Sequence, residues 1–172
     1  MMVKRLVNSC LLLLGLACGN SHEKQPARSG STGFAPVATP SATVEISRDG
    51  KTIARYESRL PDAVVDTDIL MIEMNSPDAK YSFMGYIGST RSGQYELNGE
   101  QQPGRATIHL YHDGPDMPPS LTPTEGKFSL TGMNGKSCSG SFSGSLKDPK
   151  GKAYTIRGTF SNIPVRNIEA GK

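Results

Sequence analysis

From residue 137 to residue 146 the chain alternates with a period of two. Ser137, Ser139, Ser141, Ser143 and Ser145 hold the odd positions, and Cys138, Gly140, Phe142, Gly144 and Leu146 hold the even ones. Successive side chains of a β-strand point to opposite faces. One face of this segment is therefore wholly hydroxyl and the other apolar or small, as in a half-buried antiparallel strand. A turn, Lys147-Asp148-Pro149-Lys150-Gly151-Lys152, follows. Beyond it Tyr154, Ile156, Gly158 and Phe160 share one face, and Thr155, Arg157, Thr159 and Ser161 share the other. A hairpin with one apolar face must bury that face against a second layer. Phe142 and Phe160 are the expected core anchors.

The rest of the chain after residue 42 carries the same kind of signal. Thr43–Ser47 and Thr52–Tyr56 flank Asp49-Gly50, a strong hairpin turn. Further strands are predicted over Asp68–Met74, Tyr81–Ile87, Gly93–Leu97, Ala106–Tyr111 and Lys127–Leu130. Asp62, Asp66 and Asp68 read as part of a solubilising loop. The 19 Gly and 12 Pro suit many short strands joined by turns, and no segment of this region has a convincing 3.6-residue period. The expectation is an all-β domain over residues 43–172, an antiparallel β-sandwich or open barrel of about eight or nine strands.

The N-terminus reads differently. Lys4 and Arg5 precede an apolar run, Leu11–Leu14, Gly15, Leu16 and Ala17, which is too short to span a bilayer as a helix. The segment Leu14-Gly15-Leu16-Ala17-Cys18 resembles a lipobox, although Gly15 stands where Leu is usual. Residues 1–17 are then a signal peptide, and Cys18 is the site of lipidation with palmitate-like acyl chains. Plain secretion with cleavage near Ala17 is the competing reading. Several acyl chains together anchor a protein firmly, whereas one binds reversibly. The bilayer is therefore the first expected partner. Gly19 in place of Asp after the cysteine leans towards the outer membrane. Residues 18–42, rich in Ser, Gly, Pro, Ala and Thr, read as a flexible tether of about 25–30 Å mean span.

Charge and cysteines narrow the function classes. The formal charge is +3, and loss of Lys4 and Arg5 with the signal leaves +1. That near-neutral balance gives no electrostatic basis for a nucleic-acid partner. Cys10 leaves with the signal and Cys18 is acylated, so Cys138 has no partner and reads as a buried core thiol.

Several short motifs together resemble a family: Gly93-Gln94-Tyr95, Ser139-Gly140-Ser141-Phe142, and Gly158-Thr159-Phe160-Ser161-Asn162-Ile163-Pro164-Val165. The succession is similar to that of β-rich domains of unknown function in small bacterial lipoproteins. The resemblance spans roughly residues 43–168 and is best after Gly93. It implies fold and envelope placement, and it implies no reaction.

Candidate chemistry is sparse. His109, His112, Asp113 and Asp116 have metal-ligand side chains, but strand positions three apart face opposite ways, and zinc needs a third well-placed protein ligand. Gly140-Ser141-Phe142-Ser143-Gly144 lies inside a strand and lacks the strand-to-helix turn of a nucleophile elbow. The serine face could bind polar ligands, and a solvated sheet face explains it equally well. No catalytic residue, metal or cofactor is assigned. The Pro-rich stretch 113–123 stands out as a stiff loop in which Asp113, Asp116, Met117 and Leu121 could meet a partner. The expected role is a non-enzymatic, tethered binding or structural module whose partner is an envelope protein or glycan. An envelope enzyme inhibitor using that loop, or an unrecognised envelope enzyme, is the alternative.

Overall fold

A computed structural model describes residues 38–115 and 117–168. Ten strands account for most of them: β1 Ser41–Arg48, β2 Lys51–Ser58, β3 Asp62–Asp66, β4 Ile69–Asn75, β5 Tyr81–Ile87, β6 Gly93–Glu96, β7 Ala106–His112, β8 Ser120–Met133, β9 Ser137–Lys147 and β10 Ala153–Ile168. There is no helix among the described residues. The all-β expectation holds, with one strand more than the eight or nine foreseen. The extra strand is β3. Asp62 and Asp66, expected in a solubilising loop, are its two ends, and Asp68 stands in the turn to β4. The sequence there hides a strand because acids cap it. Its middle, Ala63-Val64-Val65, is β-forming, and Ala63 is fully buried.

Hydrogen bonding runs in the order β2-β1-β10-β3-β4-β5-β7-β8-β6, and β9 joins β10 to β8. The circuit from β10 through β3, β4, β5, β7, β8 and β9 therefore returns to β10. Two long strands make this closure possible. The first part of β10 pairs with β1, from Thr155 opposite Ser47 to Ser161 opposite Ser41. Its last residues, Val165 to Ile168, pair with β3. Likewise β8 pairs with β7 at Ser120 and Leu121, and with β6 at Lys127 to Leu130. One layer thus comprises β2, β1, β10, β9, β8 and β6, and the other β3, β4, β5 and β7 with the ends of β10 and β8. All pairings between strands are antiparallel except β10 with β3, which is parallel, a departure from the purely antiparallel expectation.

The alternation read in the sequence sets the faces. Cys138, Phe142 and Leu146 of β9 and Tyr154, Ile156 and Phe160 of β10 are buried, as expected. Phe83 and Phe142 stack at 4.4 Å, and Phe128 lies 5.7 Å from Phe142 and 5.6 Å from Phe160. Glycine makes room for these rings. Gly158 sits opposite Phe142 and Gly140 opposite Phe160. A Cβ on Gly158 would approach Phe142 Cε1 to 2.7 Å, and one on Gly140 would approach Phe160 Cζ to 2.6 Å. The β1–β2 turn has positive φ at both Asp49 (52°) and Gly50 (73°), the geometry Asp-Gly was expected to supply.

Candidate functional site: the outward face of the second layer

The two layers bury similar side chains inward but expose opposite chemistry outward. In β4, β5 and β7 the core takes Leu70, Ile72, Met74, Phe83, Ile87, Ile108 and Leu110. By alternation Met71 and Glu73, Ser82, Met84 and Tyr86, and His109 and Tyr111 face away from it. Strand register sets them in rows. Val64 lies beside Met71 and Met71 beside Tyr86. Glu73 lies beside Met84, and Met84 beside His109.

These side chains touch one another. Tyr86 Oη donates to Met84 Sδ at 2.6 Å. The Tyr86 and His109 rings meet edge to face at 5.4 Å, and His109 and Tyr111 lie 6.3 Å apart with rings 17° from parallel. Partial burial, and then the neighbouring Tyr111 and Glu73, raise the Tyr86 hydroxyl above its ordinary pKa. Tyr111 is 48% exposed, so its ring is largely in water. At the border Asn75 Nδ2 donates to Glu73 Oε1 at 2.6 Å, and Arg166 pairs with Asp62. In the same outward phase, Thr107 is nonetheless buried, and its Oγ1 has no hydrogen-bond partner among the described residues. Methionine adapts its shape to what it meets, and tyrosine offers area at low entropy cost. Interface cores are enriched in both.

The outward face of β1, β10 and β9 offers the reverse. Ser141 lies beside Thr159 and Thr159 beside Thr43. The next row brings Ser143, Arg157, Glu45 and Arg55 side by side. Its internal bonds close on itself, with Arg157 Nη2 donating to Glu45 Oε1 at 2.6 Å and the Thr43 and Thr159 hydroxyls 3.0 Å apart. The hydroxyl face foreseen for β9 thus extends over three strands, and it presents no aromatic ring.

A cleft of about 750 Å³ lies along β2, where Arg55 and Glu57 stand opposite the turn Ser76-Pro77-Asp78. Tyr56 and Tyr81, stacked at 5.8 Å, also line it. The Tyr56 hydroxyl donates to the Met74 carbonyl at 3.2 Å, and burial pushes its pKa far above the ordinary range. Ser76 Oγ donates to Asp78 Oδ1 at 2.6 Å and accepts from the Tyr81 N–H at 2.9 Å, which fixes the turn.

The residues expected to meet a partner are placed differently from that expectation. Met117 and Leu121 were to present apolar groups to solvent, and both are buried, 5% and 2% exposed. Leu121 belongs to β8 and pairs with Leu110, and the Met117 carbonyl lies 3.4 Å from His112 Nδ1. The loop is shorter than 113–123 because β8 begins at Ser120, so the core claims its apolar side chains. Asp113 is exposed, and its N–H donates to the Lys80 carbonyl at 2.9 Å. Asp116 lies outside the described residues, as do Cys18, residues 1–17 expected to be a signal peptide, and most of the stretch 18–42 expected to be a tether. Beside Asp113 and Gly114, the loop shows proline to solvent. Pro115, Pro118 and Pro119 face Lys150 and Lys152 across a groove of about 570 Å³.

His109 and His112 point to opposite faces, as their spacing requires. His109 joins the tyrosine row, and His112 packs inward on Tyr81 at 4.7 Å. Cys138 is buried, and burial pushes its thiol up to about 12.

Fold and faces together define a class: an all-β two-layer domain with one hydroxyl face and one face of methionine and tyrosine. No family model matches the sequence, and neither a curated protein nor a solved structure matches it.

Proposed function

We propose that the chain is an exported lipoprotein, anchored in the outer membrane by acylated Cys18, whose β domain is a non-enzymatic binding module. Its partner docks on the outward face of β4, β5 and β7. The carrying observation is the contrast between the two outward faces. Met71, Met84, Tyr86 and Tyr111 stay in contact with solvent where Ser and Thr serve on the other layer. Glu73 borders this patch, and no lysine or arginine of the described residues pairs with it. The face suits an envelope protein that presents apolar side chains around a cation. Placement of the partner on this sheet replaces the expectation that it meets the 113–123 loop. The resemblance to small bacterial lipoproteins and the Leu16-Ala17-Cys18 motif support the anchoring half of the reading.

Each half has its own test. The full chain is expressed with a clickable fatty acid, beside Cys18→Ala. Label on the wild type alone is expected, and equal label on the variant overturns the lipid anchor. For the binding face, a photo-crosslinking residue replaces Tyr111 in the full chain, in intact cells. One discrete adduct is expected, lost when Met84→Glu is added and kept when Ser141→Lys is added. An adduct that survives Met84→Glu, or one formed equally from position 141, overturns the placement.

A further inference from the structure

We propose that two copies of this chain pair through the free edge of β2, in one register, to form a two-fold dimer with a continuous sheet. Among the described residues β2 ends the strand order, and its backbone ladder runs to β1 alone. Its other edge is open along the cleft between Arg55, Tyr56 and the Ser76–Asp78 turn, so an incoming backbone has space there. An open edge exposes main-chain donors and acceptors that another strand can take up.

Charge selects the occupant. Arg55 and Glu57 face outward on either side of inward-facing Tyr56. Neither side chain has an ion pair or hydrogen bond among the described residues, since Glu45, the neighbour of Arg55, is held by Arg157. The bulge opposite Ile46 and Ser47 leaves Ala54–Ser58 as the regular part of the edge. A two-fold axis perpendicular to the sheet, which keeps both inner faces on one side, must pass beside a single residue of each copy. Centred on Arg55, it sets Arg55 against Arg55. Centred on Glu57, it sets Glu57 against Glu57 and Arg55 against Arg59. Centred on Tyr56, it sets Arg55 opposite the second copy's Glu57 twice, and Ala54 opposite Ser58. Directly opposed unlike charges stabilise a strand pair and like charges oppose it. Centred on Ala54 the overlap would run across the bulge, and centred on Ser58 it would run past the end of β2, so the regular edge is complementary to itself in one register and repels the two beside it. An isologous contact of this kind closes at two copies.

The test uses the full chain in detergent, its mass followed by sedimentation. The wild type is expected to dimerise. Arg55→Glu and Glu57→Arg are each expected to weaken association about tenfold or more, and the double variant, which exchanges the charges, to restore it. As a check on register, Arg55→Cys in one tagged copy should form a disulfide with Glu57→Cys in another faster than with Arg55→Cys. A monomeric wild type overturns the proposal. So does a dimer indifferent to both charge reversals, preferred 55-to-55 bridging, or capture by Arg55→Cys of a different protein instead of a second copy.

Discussion

Cys138 shows how one inward position behaves once the alternation has been obeyed. Its thiol lies in the core, and burial penalises the thiolate. The unfolded chain has an ordinary thiol, with a pKa of roughly 8.5. Below that pH both states hold the proton, so the contribution to stability is level. Above it the unfolded state loses the proton while the folded state keeps it up to about 12, so the domain loses stability as pH rises. Chemical denaturation at pH 8 and pH 10 should show a fall of about 2 kcal/mol in the wild type and a distinctly smaller one in Cys138→Ala. Native protein should also resist thiol reagents until it is denatured. The thiol's burial was legible because it shares its phase with Phe142. Burial of Met117 and Leu121 was not, because proline-rich sequence gives no period from which to tell inside from outside. Only His112 and Leu110, distant from the loop's tip in pattern, place them.

Strands with a clean period were read well, and strands whose ends or partners break the period were not. β9 and the first part of β10 matched residue for residue. β3 was lost because five residues bounded by Asp62 and Asp66 resemble a charged loop. Its neighbour is the far end of β10, about a hundred positions away, and no local pattern signals a parallel partner. The outward patch was lost for a related reason. Met71, Met84, Tyr86 and Tyr111 are apolar on the solvent side, so alternation in β4, β5 and β7 is blurred just where recognition is proposed. The Gly and Phe pairs of β9 and β10 give a sharp test of the packing. Gly158→Ala keeps an ordinary φ yet pushes a methyl into both the Phe142 ring and the Thr43 carbonyl oxygen, and should cost about 3 kcal/mol or more. Phe142→Ala should cost about 3–5 kcal/mol by opening a cavity. If the two are combined, the penalties should add only in part, because the clash with the ring is gone while that with the Thr43 carbonyl remains. Thermal denaturation of the three variants measures this. Full additivity would mean that the ring does not lie on Gly158.

At the scale of the whole molecule, β8 and β10 each serve both layers, so neither layer can open without breaking strands of the other. Hydrogen exchange should reflect this. Amides of β9, paired on both sides by these long strands, should exchange last and near the global unfolding free energy. Amides on the open side of β2 and β6 should exchange first. In the dimer proposed above, protection on β2 would rise with protein concentration while that of β6 stayed fixed.

The pairing of β10 also sets a clock on synthesis. β1 emerges first and finds β2 within a few residues, but its other neighbour spans Thr155–Ser161, and β3 waits for Val165–Ile168. Two of the first three strands thus stay half-paired until β10 has left the ribosome. Contacts so far apart along the chain form slowly, and unpaired strand edges invite the wrong neighbour in the meantime. A nascent chain released after residue 147 and before residue 153 would hold β1 through β9 and still lack the strand that joins β1, β3 and β9. Quality control can therefore distinguish chains that hold β10 from chains that lack it by one feature, the open edges of β1, β3 and β9.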